Sequence, residues 1–420
     1  QLGMFIHFGI YALNGISESW SFYHGGISYG DYMAQLNGFT ASHFDADYWA
    51  KLFQESGARY SVLTSKHHDG VALFDTQYSD LSVVKKSPAG RDILKEYIEA
   101  VRKVGLHVGV YYSLLDWSHP DYASVYGGGN VPEDLSTVNG YSSPTDGKQD
   151  EEAWQRFLQF DRGQLKEILT NYGTIDLLWF DGDWERSADQ WGLPEFKEYL
   201  LGFNPELIIN SRFAGYGDYF TPEQGIPVKR PGGPWEFCTT INSSWGYQPR
   251  DNHYKSLGQI IHMFCDCIGM GGNLLLDIGP REDGTIDERQ EAVLRGLGRW
   301  IRENEEAVYD TVAGVGPEFY GNGSVLSEDG TVLYLFVHDE PKEAICVKGL
   351  KNRVLEAQVL HSGKSLKWTV HGGAPWLDIP GTLWVFMDQS DCAQYTTVVR
   401  LKLDGPIRLY AGAGATVTDN

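Results

Sequence analysis

Over roughly the first 310 residues, short and nearly continuous apolar runs alternate with longer stretches of helical periodicity. The runs are Gly3–Ile10, Tyr60–Lys66, Leu106–Ser113, Ile175–Gly182, Leu207–Arg212, Thr239–Ser243 and Asn273–Gly279. Strands so unbroken in Val, Ile, Leu and Phe belong to parallel sheets covered on both faces. Between them, helices are predicted over Asp45–Ser56, Arg91–Val104, Glu151–Tyr172, Ser256–Ile268 and Asp287–Tyr309. Several runs end in polar residues and a loop: Lys66-His67-His68-Asp69-Gly70, Phe180-Asp181-Gly182-Asp183-Trp184 and Asn210-Ser211-Arg212. This alternation, with polar strand ends, predicts a (β/α)8-like (TIM) barrel whose site lies at the C-terminal ends of the strands. A doubly wound open sheet is the alternative, and the lack of a G-x-G-x-x-G after the first run counts against it.

After Tyr309 the pattern changes to short β-rich runs separated by Gly, Asp or Ser: Val332–His338, Ala344–Val347, Val354–His361, Leu383–Met387 and Val398–Leu403. They predict a C-terminal antiparallel β-sandwich. The expected division is a barrel over residues 1–312 and a sandwich over 313–420. The segment His119–Lys148, rich in Gly, Ser, Asp and Pro, follows a strand and is expected to be an active-site loop.

Composition narrows the function. With 34 Lys and Arg against 56 Asp and Glu, the formal net charge is −22, which disfavours nucleic acid or an anionic membrane as partner. No apolar run reaches the roughly 18 residues of a membrane-spanning helix. Five scattered cysteines with no C-x-x-C exclude a disulfide scaffold and a zinc ribbon. Cys265 and Cys267, inside an apolar segment, are expected to be buried thiols. The first residue, Gln1, leads straight into an apolar run with no initiator Met or signal peptide. Residues upstream are expected to be missing, and the compartment is left open, with cytoplasm favoured over secretion. Aromatic residues make up 13% of the chain. Rings that pack on sugar C–H faces, beside carboxylates that bind hydroxyls, would account for that, and so would a large core.

The sharpest chemical signal is Ile175-Asp176-Leu177-Leu178-Trp179-Phe180-Asp181-Gly182. A hydrophobic strand delivers Asp181 to its end, and Gly182 lets the chain turn away. Asp183 and Glu185 compete from the loop, whereas Asp176 sits at the strand entry, on the stability face. His7, His67 and His68 come from two other strand ends. Three such histidines are a conceivable zinc set, but barrel metallohydrolases commonly open with His-x-His, and here Phe8 and Gly9 follow His7. Neutral imidazoles bonding sugar hydroxyls fit better. Glu223, in the loop after Arg212, and Glu236, just before a strand, are the candidate partner acids. A retaining glycosidase needs two carboxyls about 5–5.5 Å apart, and Arg212 is placed to keep the nucleophile ionised. A G-x-S-x-G elbow and a Walker A loop are both missing.

Gly3-Met4-Phe5-Ile6-His7-Phe8-Gly9, Lys66-His67-His68-Asp69-Gly70, Gly109-Val110-Tyr111-Tyr112-Ser113, Leu178-Trp179-Phe180-Asp181-Gly182 and Gly271-Gly272-Asn273-Leu274-Leu275-Leu276 together resemble the α-L-fucosidases of glycoside hydrolase family 29. The resemblance runs in order from residue 3 to about 310. It implies a retaining exo-α-L-fucosidase that needs no metal or other cofactor. Its partner would be a fucosylated oligosaccharide or glycoconjugate, with self-association into a homo-oligomer allowed. Asp181 matches the family nucleophile and Glu223 the acid/base, with Glu236 kept as rival and as a substrate-contacting residue. His7, His67, His68, Tyr111 and Arg212 match fucose-binding residues, and Trp20 and Trp245 match pocket aromatics. A non-catalytic fucose-binding protein and a metal-dependent barrel hydrolase are the alternative readings. Three departures stand out. Ser19 separates Glu18 from Trp20 where the family places Glu next to Trp. Val71 and Ala72 stand where the family favours an aromatic and Cys. Asp277 replaces a usual Asn. The first two are expected to bear on sugar selectivity.

Overall fold

The computed structural model describes residues 1–123 and 150–414. Seven parallel strands form one curled sheet: β1 (Leu2–Ile6), β2 (Tyr60–Lys66), β3 (His107–Ser113), β4 (Leu177–Asp181), β5 (Ile208–Ile209), β6 (Glu236–Thr240) and β7 (Asn273–Ile278). Their spatial order is β5-β4-β3-β2-β1-β7-β6, which leaves β5 and β6 as the two edges. The segment Asp218–Gln224 fills the gap between them. The Asp218 N–H donates to Ile209 O at 2.7 Å, the Phe220 N–H to Pro234 O at 3.1 Å, and the Cys238 N–H to Pro222 O at 3.0 Å. Isolated parallel bridges Asn210–Tyr219, Phe220–Trp235 and Glu223–Cys238 complete the closure. Pro222 cannot donate to a ladder, so this eighth position never becomes a regular strand.

Alternation along each strand separates two cores. Phe5, Val62, Tyr111, Leu177, Trp179, Cys238 and Leu275 fill the barrel interior. Val108, Val110, Tyr112, Leu178 and Phe180 point outward into the larger core beneath the helices. The main helices run over Ala46–Glu55, Ile93–Lys103, Glu151–Asn171, Leu257–Gly269 and Glu288–Glu303, close to their expected bounds. Asp45, Asp92, Asp150, Ser256 and Asp287 cap them through side-chain oxygens that accept backbone N–H groups. The helix Leu193–Leu201 was not anticipated. Cys265 and Cys267 are buried thiols, as expected.

Beyond the barrel, a five-stranded antiparallel sheet begins at Thr311–Ala313 and faces a three-stranded one across a second core. Val325, Tyr334, Phe336 and Val398 of the larger sheet join the core of the barrel helices, so the two parts are packed together. Apart from its first five residues, the segment His119–Lys148 lies outside the described residues. Among the described residues, no helix is long and apolar enough to cross a membrane.

The turn into the closing segment is sterically tight. A Cβ on Gly217 would sit 2.2 Å from Asn210 O and 2.6 Å from Ser211 Cα, both of them backbone. Gly217→Ala is therefore expected to destabilise the protein by about 1–3 kcal/mol in urea denaturation. A Cβ on Gly232 would meet nothing within 4 Å, so Gly232→Ala should stay within about 0.5 kcal/mol. Equal effects of the two substitutions would contradict this account of the closure.

Candidate active site

The strand ends converge on a cavity of about 260 Å³ lined by Phe5, His7, Glu18, Trp20, His67, Tyr111, Trp179, Asp181, Trp184, Arg212, Glu223 and Trp245. That is below the roughly 300–1,000 Å³ of drug-sized pockets and suits one sugar ring. A larger cavity of about 580 Å³ opens at the other end of the barrel, among the strand entries Tyr60, His107, Asp176 and Asn273. The smaller one holds the convergent charges and lies where barrel enzymes place their chemistry.

Asp181 closes β4 and Gly182 turns the chain away in the left-handed region, with φ of 82°. Both oxygens of Asp181 are engaged. Oδ1 accepts from Arg212 Nη1 at 2.9 Å and Oδ2 from the Tyr111 hydroxyl at 3.0 Å. The His68 Nε2 stands 3.6 Å from Oδ2. Burial and the Asp181 charge raise the Tyr111 pKa, keeping it a proton donor. The second arm of Arg212, Nη2, reaches Glu223 Oε2 at 2.5 Å. Burial opposes the charge on Arg212, but Asp181 and Glu223 outweigh it and raise the pKa. The guanidinium lies over the Trp179 ring, 4.6 Å from its centroid, which fixes its plane. Two carboxyls are thus held apart by the width of one guanidinium and its two hydrogen bonds.

Each histidine is held at Nδ1: His7 by Asp277 Oδ1 at 2.6 Å, His67 by Ser19 Oγ at 2.6 Å and His68 by Ser113 Oγ at 2.7 Å. Burial lowers all three pKa values well below 6.5; His67 adds to this at His7, His68 at His67, and Arg212 at His68. The imidazoles are neutral, and a neutral ring offers either a donor or an acceptor at Nε2. Burial, and then the Glu18 charge, raises the Asp277 carboxyl well above its ordinary range. Glu18 Oε1 accepts the Gly246 N–H at 2.6 Å and so pins the loop that carries Trp245. The Trp245 ring lies 5.0 Å from that of His7. At the mouth, Trp20 stacks with Trp184 at 6.1 Å and meets His68 edge-on at 5.4 Å.

The sequence profile described as Alpha-L-fucosidase matches residues 1–306. The chain belongs to the α-L-fucosidase family. It is 31% identical over 340 residues to the tissue α-L-fucosidase of Rattus norvegicus, covering 74% of this chain and 68% of that protein. With the α-L-fucosidase of Dictyostelium discoideum it shares 31% over 345 residues, covering 74% and 70%. Its fold superposes on α-L-fucosidase isoenzyme 1 from Paenibacillus thiaminolyticus with a TM-score of 0.85 at 33% identity, covering 96% and 97% of the two chains. A family 29 α-L-fucosidase from Bacteroides thetaiotaomicron, trapped as a covalent intermediate with 2-fluoro-fucosyl fluoride, superposes with a TM-score of 0.81 at 26% identity, covering 96% and 94%.

Within this fucosidase frame, the cavity gathers His7, Trp20, His67, Tyr111, Asp181, Arg212, Glu223 and Trp245, with His68 behind Asp181. Glu236, expected as a substrate-contacting residue and as rival to Glu223, does not line this cavity. It starts β6, on the floor of the barrel, where its carboxylate accepts from Tyr60 OH, from Trp179 Nε1 at 2.9 Å and from Tyr219 OH at 3.3 Å. The rivals of Asp181 are also committed elsewhere. Asp183 accepts the Ala214 N–H at 2.8 Å. Glu185 is buried against Trp117 Nε1 and Tyr122 OH. Val71 and Ala72 belong to the outer core and do not line the cavity. Glu18 does line it despite the intervening Ser19. Ser19 and Asp277 showed in the sequence only as departures from the family pattern, and Ser113 only as the end of the Gly109–Ser113 motif; none of the three carried a sign that it holds a histidine.

Burial pushes the Glu18 carboxyl up to about 7 from an ordinary value of 4.5. The folded state therefore retains a proton that the unfolded chain has lost, and stability declines as pH rises from about 4.5 through about 7. Glu18→Gln removes this slope. Relative to the parent it should gain on the order of 3 kcal/mol between those limits, measured by urea denaturation across the pH range. A difference that does not change with pH would contradict the buried carboxyl.

Proposed function

We propose that the protein is a retaining, exo-acting α-L-fucosidase that hydrolyses terminal α-L-fucosyl linkages by double displacement, with Asp181 as nucleophile and Glu223 as general acid/base. The observation that carries this reading is the pairing of Asp181 and Glu223 with opposite arms of Arg212. Asp181 is rigid and buried, and its lone pairs are aligned by Arg212 and Tyr111. Glu223 is 39% exposed along its side chain, so it exchanges protons with water and is free to leave the guanidinium for the leaving-group oxygen. Asp181 attacks the anomeric carbon as Glu223 protonates that oxygen, and Glu223 then activates the water that releases α-fucose. The neutral histidines suit fucose hydroxyls, and the small cavity suits a single terminal residue. A non-catalytic binding protein would have no use for a buried carboxylate aligned on both oxygens, and family membership favours hydrolysis over both alternatives.

Glu223→Ala should slow cleavage of oligosaccharides by about 10²–10⁴-fold and activated aryl fucosides by much less. Azide should restore turnover on the aryl substrate. Because azide would displace Asp181 from the α face, the product should be α-fucosyl azide. Glu236→Ala should show no azide rescue and should instead lose stability, by about 1–3 kcal/mol for each buried donor left unpaired. Rescue of the Glu236 variant and not of the Glu223 variant would reverse the assignment.

A further inference from the structure

Where the barrel meets the sandwich, His262 and Asp266 lie one turn apart on the helix Leu257–Gly269, and His338 directly follows the strand Val332–Val337. One ligand-capable atom from each of the three side chains lies within 4.8 Å of the other two. The His262 Nε2 is 3.5 Å from Asp266 Oδ2, and the His338 Nε2 is 3.6 Å from Asp266 Oδ1. A tetrahedral ion with bonds of about 2.0–2.2 Å has ligand-to-ligand edges of about 3.3–3.6 Å, so with the imidazoles facing different oxygens of Asp266 the carboxylate must turn one oxygen to both or take the ion with the two together. The two imidazoles stack with centroids 3.6 Å apart and planes at 21°.

The His338 side chain is only 5% exposed, yet its Nε2 has no hydrogen-bond partner among the described residues. A buried nitrogen left this way costs free energy unless something occupies its lone pair. Its other nitrogen, Nδ1, is 2.9 Å from Thr396 Oγ1. When Nδ1 carries the proton and donates it to Thr396, the Nε2 lone pair is left for a ligand. This is the outer contact that orients metal-binding histidines. His262 and Asp266 are half-exposed, so water can reach a fourth position, and the His262 side chain has room to swing out of the stack, which its ring must do for its lone pair to meet that of His338 at one ion.

We propose that His262, Asp266 and His338 form a binding site for a divalent transition-metal ion, zinc being the best match, that clamps the barrel helix to the sandwich strand. Two imidazoles and one carboxylate select zinc, copper or nickel over magnesium and calcium, which take all-oxygen shells. None of the three residues lines the fucoside pocket, so the ion has a structural role and its binding is independent of the reaction assigned above. Since it would hold the folded state only, it stabilises by mass action.

The test is zinc titration of the untagged, chelator-treated protein by calorimetry, with thermal melting in parallel. One saturable site per chain and a zinc-dependent rise in Tm are expected, with no comparable rise in magnesium and no change in aryl-fucoside turnover. His262→Ala and Asp266→Asn, both at half-exposed positions, should fold normally and lose the site. Thr396→Val, which removes only the outer hydrogen bond, should weaken zinc binding by about 10–100-fold. No saturable binding, binding undiminished in His262→Ala, an equal response to magnesium, or loss of turnover on adding zinc would overturn the proposal.

Discussion

The arrangement of the pocket depends on one partly buried cation shared by two carboxylates. Arg212 holds Asp181 with one arm and Glu223 with the other, over the face of Trp179. A guanidinium is rigid, planar and always charged, so it fixes both the distance between its partners and their common plane. It also suits a reaction in which the negative charge changes owner. When Glu223 carries the proton, Asp181 is the anion paired with Arg212. In the double displacement proposed above, Glu223 would become the anion once Asp181 is esterified. In either half of the proposed cycle the cation would face one carboxylate, and no step would leave it without a partner.

The geometry follows from an irregularity in the barrel. Seven strands are regular, and their ends supply His7, His67, Tyr111 and Asp181 at set positions. The eighth position is the bridged segment Asp218–Gln224, bent by Pro222 and held by hydrogen bonds from both neighbours. Glu223 sits at its upper end, half-exposed, while Asp181 is locked into a strand. The difference in exposure matches the tasks proposed for the two residues, since a nucleophile gains from rigidity and an acid/base must exchange protons with water. Below them the interior is lined by apolar side chains, Phe5 and Trp179 among them, down to Glu236, whose three donors close the floor.

Much of this was legible in the sequence. The unbroken apolar runs marked the strands to within a few residues, because parallel strands covered on both faces leave a strong pattern. Asp181 stood out because it ends such a run and precedes a glycine. The closing segment was less visible, since Tyr219-Phe220-Thr221-Pro222-Glu223 carries a proline and reads as a loop. Glu236 was ambiguous because sequence marks where a strand starts but not which end of the barrel a side chain on it will face. Ser19, Ser113 and Asp277 escaped because their role is to hold histidines that lie 48, 45 and 270 residues away in the chain, a relation that no local period encodes. The cluster of His262, Asp266 and His338 was hidden for the same reason, being split between a barrel helix and a sandwich strand.

The central claim is that Asp181 is the nucleophile whose carboxylate oxygen bonds to the anomeric carbon, and covalent labelling addresses it most directly. A 2-fluoro-fucosyl fluoride of the kind used to trap the Bacteroides thetaiotaomicron relative should inactivate the protein with a stoichiometry of about one. Its good leaving group allows the first step, while the fluorine slows the second. Proteolysis and tandem mass spectrometry should then place the fluoro-fucosyl group on Asp181. A label on Asp183, Glu223 or any other side chain, or turnover with no label at all, would contradict the account.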